Sequence, residues 1–373
     1  MVGLGLGGVF CGRFISRRKT SRHLLSYLFG GLILVIPATY FLFIEGMPFL
    51  YNVFGDFTLG MRDFVVYAIA FVALLCSTFL MGGVLPSVSA VMIRSQSVVG
   101  SQMGLIYAIE TFGSAVGGLL TGFVFLGYLG QFNTLVFGLL ILFVLGILSF
   151  LFMQLPNSIS SDENATEVFL SGYSKKLATY LTFACGFVVI ALQIGWIRIL
   201  KVYLTNTSYT FALISSLVIV GIFIGSWYYK KKSHKYGLKP LQALYILVLM
   251  SGFILFGLFV LLNLSEMMLI PMHELLNTHF TRLLIIPVVV SVVVIVPVSA
   301  LSGYAFPLAV DLYTQRVVNI GHNVGRVMFI NAIGAFVGPL VMAFVVIPMI
   351  GVAKGILVLV VILMIIAYWG NRS

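Results

Sequence analysis

The residue most able to do chemistry is Glu110, an acid inside the otherwise apolar stretch GLIYAIETFGSAVGG at 104–118. An ionisable group within a membrane-spanning segment is expensive unless it is paired, so it is a functional hypothesis by default. Its carboxyl group could take up a proton or bind a cation. Alternatively, in its neutral form it could donate and accept hydrogen bonds between helices.

Further candidate binding residues lie in later stretches. Asn331 is an amide in an apolar run, and Gln193, Trp196 and Arg198 lie in ALQIGWIRIL at 191–200. Arg198 is near a span end, where a long cation can reach the interface, so a snorkelling role and a ligand-binding role both stay open. The three cysteines are isolated in apolar runs: Cys11, Cys76 and Cys185. No spacing indicates a catalytic set, a metal site or a cofactor.

The composition indicates a polytopic membrane protein. Of the 373 residues, 61% are hydrophobic and 8% are charged, whereas a soluble domain has about 25% charged residues. Apolar runs long enough to cross a bilayer as helices recur along the chain. They predict spans at 22–44, 64–92, 103–127, 132–154, 177–200, 207–229, 239–263, 283–310, 323–347 and 351–370.

The net charge of +11 lies mainly in short loops between the predicted spans, such as GRFISRRKTSR at 12–22 and KKKSHKYGLK at 230–239. Placing these loops in the cytoplasm puts most Lys and Arg residues on that side, which is the positive-inside pattern. This placement argues against a nucleic-acid partner. It predicts a lipid bilayer as partner, with anionic lipid at the basic loops, and a bacterial inner membrane as the location.

Glycine positions reveal an internal repeat. When the chain is shifted by 221 residues, six glycines of the window 82–130 fall on glycines of 303–351, and Pro86 falls on Pro307. A second register of 218 residues places VGLGLGG at 2–8 on VGIFIGS at 220–226. An internal duplication explains both registers. An even number of spans in each copy makes the copies parallel, which is the arrangement of the major facilitator halves.

The duplication predicts the domain organisation. We expect an N-terminal half-bundle at 1–154, a cytoplasmic linker at 155–176 and a six-helix half-bundle at 177–373. The first copy has no counterpart of 177–200, and its opening stretch 1–15 is short for a span, as if about 42 residues were missing before it. The predicted fold is therefore an all-α polytopic protein with two parallel six-helix repeats and about 10–11 helices present. A misplaced start, a fragment and a truly reduced bundle remain alternatives.

Both copies carry the Gly-x-x-x-Gly spacing that lets two helices meet at the backbone. The pairs are Gly113 with Gly117 and Gly334 with Gly338, three residues after Glu110 and Asn331 respectively. We expect all four glycines to pack helices. Because the second copy has a neutral amide at the position of Glu110, we favour an interhelical hydrogen bond for Glu110 over a proton or cation site.

Several stretches together resemble the membrane part of the spermidine synthase-like proteins, in which a facilitator-like bundle is fused to a cytoplasmic aminopropyltransferase. These are ALQIGWIRIL at 191–200, GYAFPLAVDL at 303–312 and the two glycine helices. The resemblance implies a Trp-x-Arg element at Trp196 and Arg198. It departs at Gln193, where the family has Glu, and at Glu110, where it has Asn.

The resemblance implies spermidine synthase activity for the family, but no soluble α/β segment is visible in this sequence. We therefore expect no aminopropyl transfer by this chain. The favoured function is facilitator-like transport of a small solute, and the resemblance implies a solute related to polyamines. The alternative is a membrane anchor or scaffold for a soluble aminopropyltransferase or another cytoplasmic partner.

Overall fold

The computed structural model describes residues 1–17, 23–53, 59–93, 95, 98–152, 172–201, 207–233, 239–263, 279–314 and 319–372, which are helical almost throughout. The helices of the first copy are α1 (Val2–Arg17), α2 (Leu24–Phe41), α3 (Met47–Val53), α4 (Leu59–Gly82), α5 (Val84–Met92), α6 (Val99–Leu119) and α7 (Leu126–Phe152). Those of the second are α8 (Gly172–Leu200), α9 (Thr207–Lys232), α10 (Lys239–Leu262), α11 (His279–Tyr313), α12 (Ile320–Val341), α13 (Ile347–Ile350) and α14 (Val352–Arg372). Three π-helical segments join neighbouring helices: Leu42–Gly46, Leu120–Phe125 and Met342–Val346.

The predicted all-α polytopic fold is confirmed. Within the described ranges, ten helices are long and apolar enough to cross a membrane, and each overlaps one predicted span. The short opening helix α1 is apolar but does not reach that length. Most of the predicted linker, residues 155–171, lies outside the described residues.

Backbone geometry repeats at the spacing found in the sequence. In the described part of the chain, the residues with positive φ are Gly130 and Gly351, at 74° and 81°. A left-handed backbone is accessible to glycine without a steric penalty, which explains why glycine stands at both positions. The helices α6 and α12 also both run into π-helical segments, at Leu120–Phe125 and Met342–Val346.

Helix contacts repeat in the same way. In the first copy, a Cβ at Gly3 would lie 2.9 Å from the Leu75 carbonyl oxygen, and one at Gly82 would collide with the Leu4 backbone. In the second copy, a Cβ at Gly221 would lie 2.9 Å from the Val296 carbonyl oxygen, and one at Gly303 would collide with the Ile222 backbone. The pair α1–α4 and the pair α9–α11 therefore use equivalent glycines to bring two backbones together.

One helix break distinguishes the copies. Between α4 and α5 the helix is interrupted at Gly83, three residues before Pro86. The Ser87 hydroxyl donates a hydrogen bond to the Gly83 carbonyl at 2.7 Å, satisfying a group near the break. Helix α11 instead continues through Pro307 without ending. Pro307 therefore does not end its helix, whereas the chain near its counterpart Pro86 is interrupted at Gly83.

The chain packs as two compact units that do not follow the repeat boundary. One unit contains Met1–Arg94, Leu126–Glu163 and Val318–Phe329; the other contains Ser95–Phe125, Asn164–Val317 and Ile330–Ser373. Polar contacts join helices inside the first unit: the hydroxyls of Ser26 and Ser149 lie 2.9 Å apart, linking α2 to α7. The core of the second unit contains α8, where 61% of the most apolar stretch is buried.

Candidate functional site

Glu110 lies on an open face of α6. Its side chain is exposed, as are Gly113, Ser114 and Gly117 on the following turns. The Ser114 hydroxyl donates a hydrogen bond to the backbone carbonyl of Glu110 at 2.9 Å, so the Ser114 side chain is bonded to its own helix. Among the described residues, a Cβ added at Gly113 or at Gly117 would meet no heavy atom within 4 Å. The helix contact predicted for these two glycines therefore has no partner in the described part of the chain.

Asn331 lies in a different environment, at the contact between α12 and α8. A Cβ placed on Gly186 of α8 would come within 2.7 Å of the Asn331 side-chain oxygen. Gly334 and Gly338 approach the same helix, because a Cβ at either position would lie 2.9 Å from a backbone atom of Phe187. In the second copy, the backbones of α12 and α8 therefore approach closely at these glycines.

The candidates of the ALQIGWIRIL stretch are separated by the structure. The Gln193 amide nitrogen donates to the Ser215 hydroxyl at 2.9 Å and links α8 to α9. Trp196 is buried, whereas Arg198 is exposed in the last turn of α8. The structure therefore does not bring these three side chains together into one site. The exposure of Arg198 at a span end agrees with the snorkelling alternative.

A buried polar cluster that the sequence analysis did not assemble lies where α9, α10 and α11 meet. The Asp311 carboxylate accepts a hydrogen bond from the Tyr229 hydroxyl at 2.7 Å. The Lys239 ammonium lies 2.7 Å from the same carboxylate oxygen. Asp311 and Tyr229 are buried, and the Lys239 side chain is only 18% exposed. A buried carboxylate needs a counter-charge and hydrogen bonds, and this cluster supplies both.

Helix α6 closes over this cluster at Gly100. A Cβ there would lie 3.0 Å from the Tyr229 hydroxyl and would collide with the Asp311 carboxylate. Near it, the rings of Tyr229 and Tyr304 meet edge to face at 4.8 Å. The Tyr304 hydroxyl donates to the Gln242 side-chain oxygen at 3.2 Å, which reaches α10 again. Polar and aromatic contacts therefore hold the ends of four helices together: α6, α9, α10 and α11.

The sequence contained a partial signal for this cluster. Asp311 is a single acid at the end of a long apolar helix, and Lys239 begins another helix. Charges at span ends are ordinary in membrane proteins, so neither residue alone predicts the pair. Only the fold shows that the two ends meet.

An aromatic contact lies further along the same two helices. Tyr107 of α6 stacks on Phe306 of α11, with ring centroids 4.3 Å apart and planes inclined by 25°. Offset stacking of this kind adds to apolar burial and fixes ring orientation. Among the described residues, no group of three or more His, Cys, Asp or Glu side chains is placed to hold a metal ion.

Comparison with known proteins supports the fold and does not identify a family. No family model matches the chain, and no curated protein matches it. Solved structures do match. The outward conformation of the major facilitator superfamily transporter FucP superposes with a TM-score of 0.56 at 14% identity, covering 100% of this chain and 98% of that one.

Two further structures give the same result. The human organic anion transporter MFSD10 (TETRAN) has a TM-score of 0.59 at 15% identity, covering 99% of this chain and 82% of that one. A variant of the E. coli fucose:proton symporter FucP has a TM-score of 0.53 at 12% identity, covering 100% and 96%. The chain is therefore an integral membrane protein with a major facilitator-like fold. At these identities the likeness shows the fold alone.

Proposed function

We propose that this chain is a facilitator-type carrier that moves a small solute across a membrane. The observation that carries the proposal is the match of the chain over nearly its full length to solved major facilitator transporters. The repeated contacts α1–α4 and α9–α11 support it, because carriers of this type are built from parallel helical repeats. Fold alone does not define a solute, so the solute class needs a separate argument.

The resemblance to the membrane part of spermidine synthase-like proteins makes polyamines the first solutes to test. The described spans contain few acids for a polycation to bind. Glu110 is exposed on α6, whereas the Asp311 carboxylate is already paired with Lys239. We therefore treat polyamine transport as the more demanding hypothesis. For Glu110 we propose an interhelical hydrogen bond, because its repeat mate Asn331 is a neutral amide at a helix contact.

A flux assay tests the proposal. The purified chain is reconstituted in proteoliposomes, which are loaded with putrescine, spermidine, a neutral sugar or an organic anion. The counterflow of the labelled solute into the vesicles is then measured. We expect saturable counterflow of at least one solute above protein-free vesicles. Equal leakage from both vesicle types for the whole panel would favour the scaffold alternative, in which a soluble aminopropyltransferase or another cytoplasmic partner binds the membrane part.

We also propose that the basic loops face the cytoplasm of a bacterial inner membrane and contact anionic lipid. The charge distribution supports this orientation because Lys and Arg accumulate on the cytoplasmic side of such proteins. The basic stretch 230–239 begins in the last turn of α9, where Lys230 and Lys232 lie over the rings of Trp227 and Tyr228. In the variant Lys231→Cys, a membrane-impermeant thiol reagent added outside the cells should label position 231 only after the membrane has been made permeable. Labelling in intact cells would reverse the orientation.

A further inference from the structure

One face of α6 is open where its repeat counterpart is covered. We name Glu110, Gly113, Ser114 and Gly117 the α6 open face, because all four are exposed and follow one side of the helix. Glycine stripes expose backbone, and in a bilayer such a stripe packs best against another helix that can approach closely. An acid on the same stripe adds a hydrogen-bonding group that hydrocarbon cannot satisfy.

The counterpart of this face shows what covers it. The equivalent residues of α12 are Asn331, Gly334, Ala335 and Gly338, displaced by 221 positions, and the last three are buried. They lie against α8, which crosses at Gly186 and Phe187. A Cβ at Gly186 would lie 2.7 Å from the Asn331 side-chain oxygen and 3.1 Å from the Ala335 nitrogen. A small residue at Gly186 therefore lets α8 reach the amide and the glycine stripe together.

The helices α6 and α12 are also alike in their other contacts. A Cβ added at Gly104 of α6 would lie 3.1 Å from the Ser226 carbonyl oxygen. A Cβ added at Gly325 of α12 would collide with the carbonyl of Gly8, which is the repeat counterpart of Ser226. Both helices run into π-helical segments. The two helices thus make equivalent contacts elsewhere. Their faces differ because α8 covers the face of α12, whereas the α6 open face is exposed.

We propose that the α6 open face is the docking surface for one membrane-spanning helix of the α8 type, supplied from outside the 373 residues. Such a helix is apolar and has glycine or alanine at the crossing point, where α8 has Gly186. In the repeat order it corresponds to 177–200, the span without a counterpart in the first copy. On docking it covers Gly113 and Gly117 and brings its backbone next to Glu110, as α8 brings Gly186 next to Asn331. This inference does not depend on whether the chain transports a solute.

The test uses the full chain with a separately expressed probe helix of the sequence Gly172–Leu200, carrying an affinity tag. Both are co-expressed, and the amount of chain that co-purifies with the probe is measured. We expect recovery with the wild-type chain. The double variant Gly113→Leu/Gly117→Leu should reduce it at least tenfold, the effect of about 1.4 kcal/mol of lost binding. Gly186→Leu in the probe should reduce it similarly.

Gly252→Leu is the matched control, because Gly252 is also an exposed helical glycine whose added Cβ would meet no heavy atom of the described residues within 4 Å, but it lies on α10 and not on α6. It should keep wild-type recovery. If the double leucine variant does not fold, Ser114→Trp blocks the same face. Equal recovery for the wild-type chain and a folded blocked variant, or no recovery at all, overturns the proposal. So does a chain dimer that the leucine pair dissociates, because a second copy would then be the occupant.

Discussion

The helices α6 and α12 carry the same pattern of glycines and have different neighbours. Gly334 and Gly338 lie against the backbone of α8, whereas Gly113 and Gly117 meet no atom within 4 Å in the described part of the chain. The polar residue one turn earlier follows the same division, since Asn331 contacts α8 and Glu110 is exposed. A Gly-x-x-x-Gly spacing therefore prepares a surface for close approach, and the contact itself depends on the partner helix.

The burial of the surrounding helices shows the consequence of this difference. In the second copy, 61% of the most apolar stretch of α8 is buried, and this helix contacts α12 at Gly186. In the first copy, the most apolar stretches of the spans Gly60–Met92 and Leu126–Phe152, which contain most of α4 and all of α7, are each 6% buried. A helix that is apolar all round and buried acts as the core of its bundle. Only the second copy has such a core helix among the described residues.

The two copies also differ at Asp311, where substitution is expected to cause the largest loss of stability. Its repeat counterpart is the buried Ala90, so only the second copy places a charge at this position. Asp311→Ala leaves Lys239 without its carboxylate, and the loss of one partner of a buried ion pair costs about 3–5 kcal/mol. We expect a markedly lower thermal transition in detergent. Ala90→Ser, at the equivalent position of the first copy, serves as the control and should lower it much less.

A double variant separates the charge from the packing. Asp311→Leu combined with Lys239→Met removes both charges, and such replacements are often neutral or stabilising. Recovery of most of the stability lost in Asp311→Ala would show that the loss of the Asp311 counter-charge to Lys239 causes the damage. A double variant as unstable as the single one would instead assign the damage to the Tyr229 hydrogen bond or to the shape of the site.

A second pair of variants tests the glycine faces directly. Gly334→Leu forces a side chain into the backbone of Phe183 and Phe187, and overpacking of this kind costs roughly 1–3 kcal/mol. Gly113→Leu meets open space among the described residues and should change the free energy of unfolding by less than about 0.5 kcal/mol. Thermal unfolding of both variants measures the difference. Equal destabilisation would mean that both faces are packed in the protein.

Much of the fold could be predicted from the sequence because the relevant signals are local. Each span is a run of apolar residues, and the glycine register at 221 residues corresponds to the left-handed positions Gly130 and Gly351. The cluster of Asp311, Lys239 and Tyr229 could not be predicted in this way, because the three residues lie on different helices and each alone is an ordinary span-end residue. The open state of Gly113 could not be predicted either, because its pattern is the same as that of Gly334.

The smallest expected effect concerns Glu110→Gln. The amide keeps a donor and an acceptor and matches the counterpart Asn331, so we expect folding to be preserved and the free energy of unfolding to change by less than about 0.5 kcal/mol. If Glu110 serves in packing, solute flux in proteoliposomes keeps the same dependence on pH as in the wild type. If Glu110 couples transport to protons, the variant folds but loses pH-driven flux, because an amide cannot titrate. Flux of the wild type and of Glu110→Gln at two pH values decides between these results.

The matched control for the loss of one charge is Asp63→Asn, because Asp63 is a half-exposed acid on α4. We expect packing, because the second copy has a neutral residue at this position and still forms its helix contact. A stable Glu110→Gln variant without pH-driven flux, beside an unaffected Asp63→Asn variant, would assign Glu110 to coupling instead.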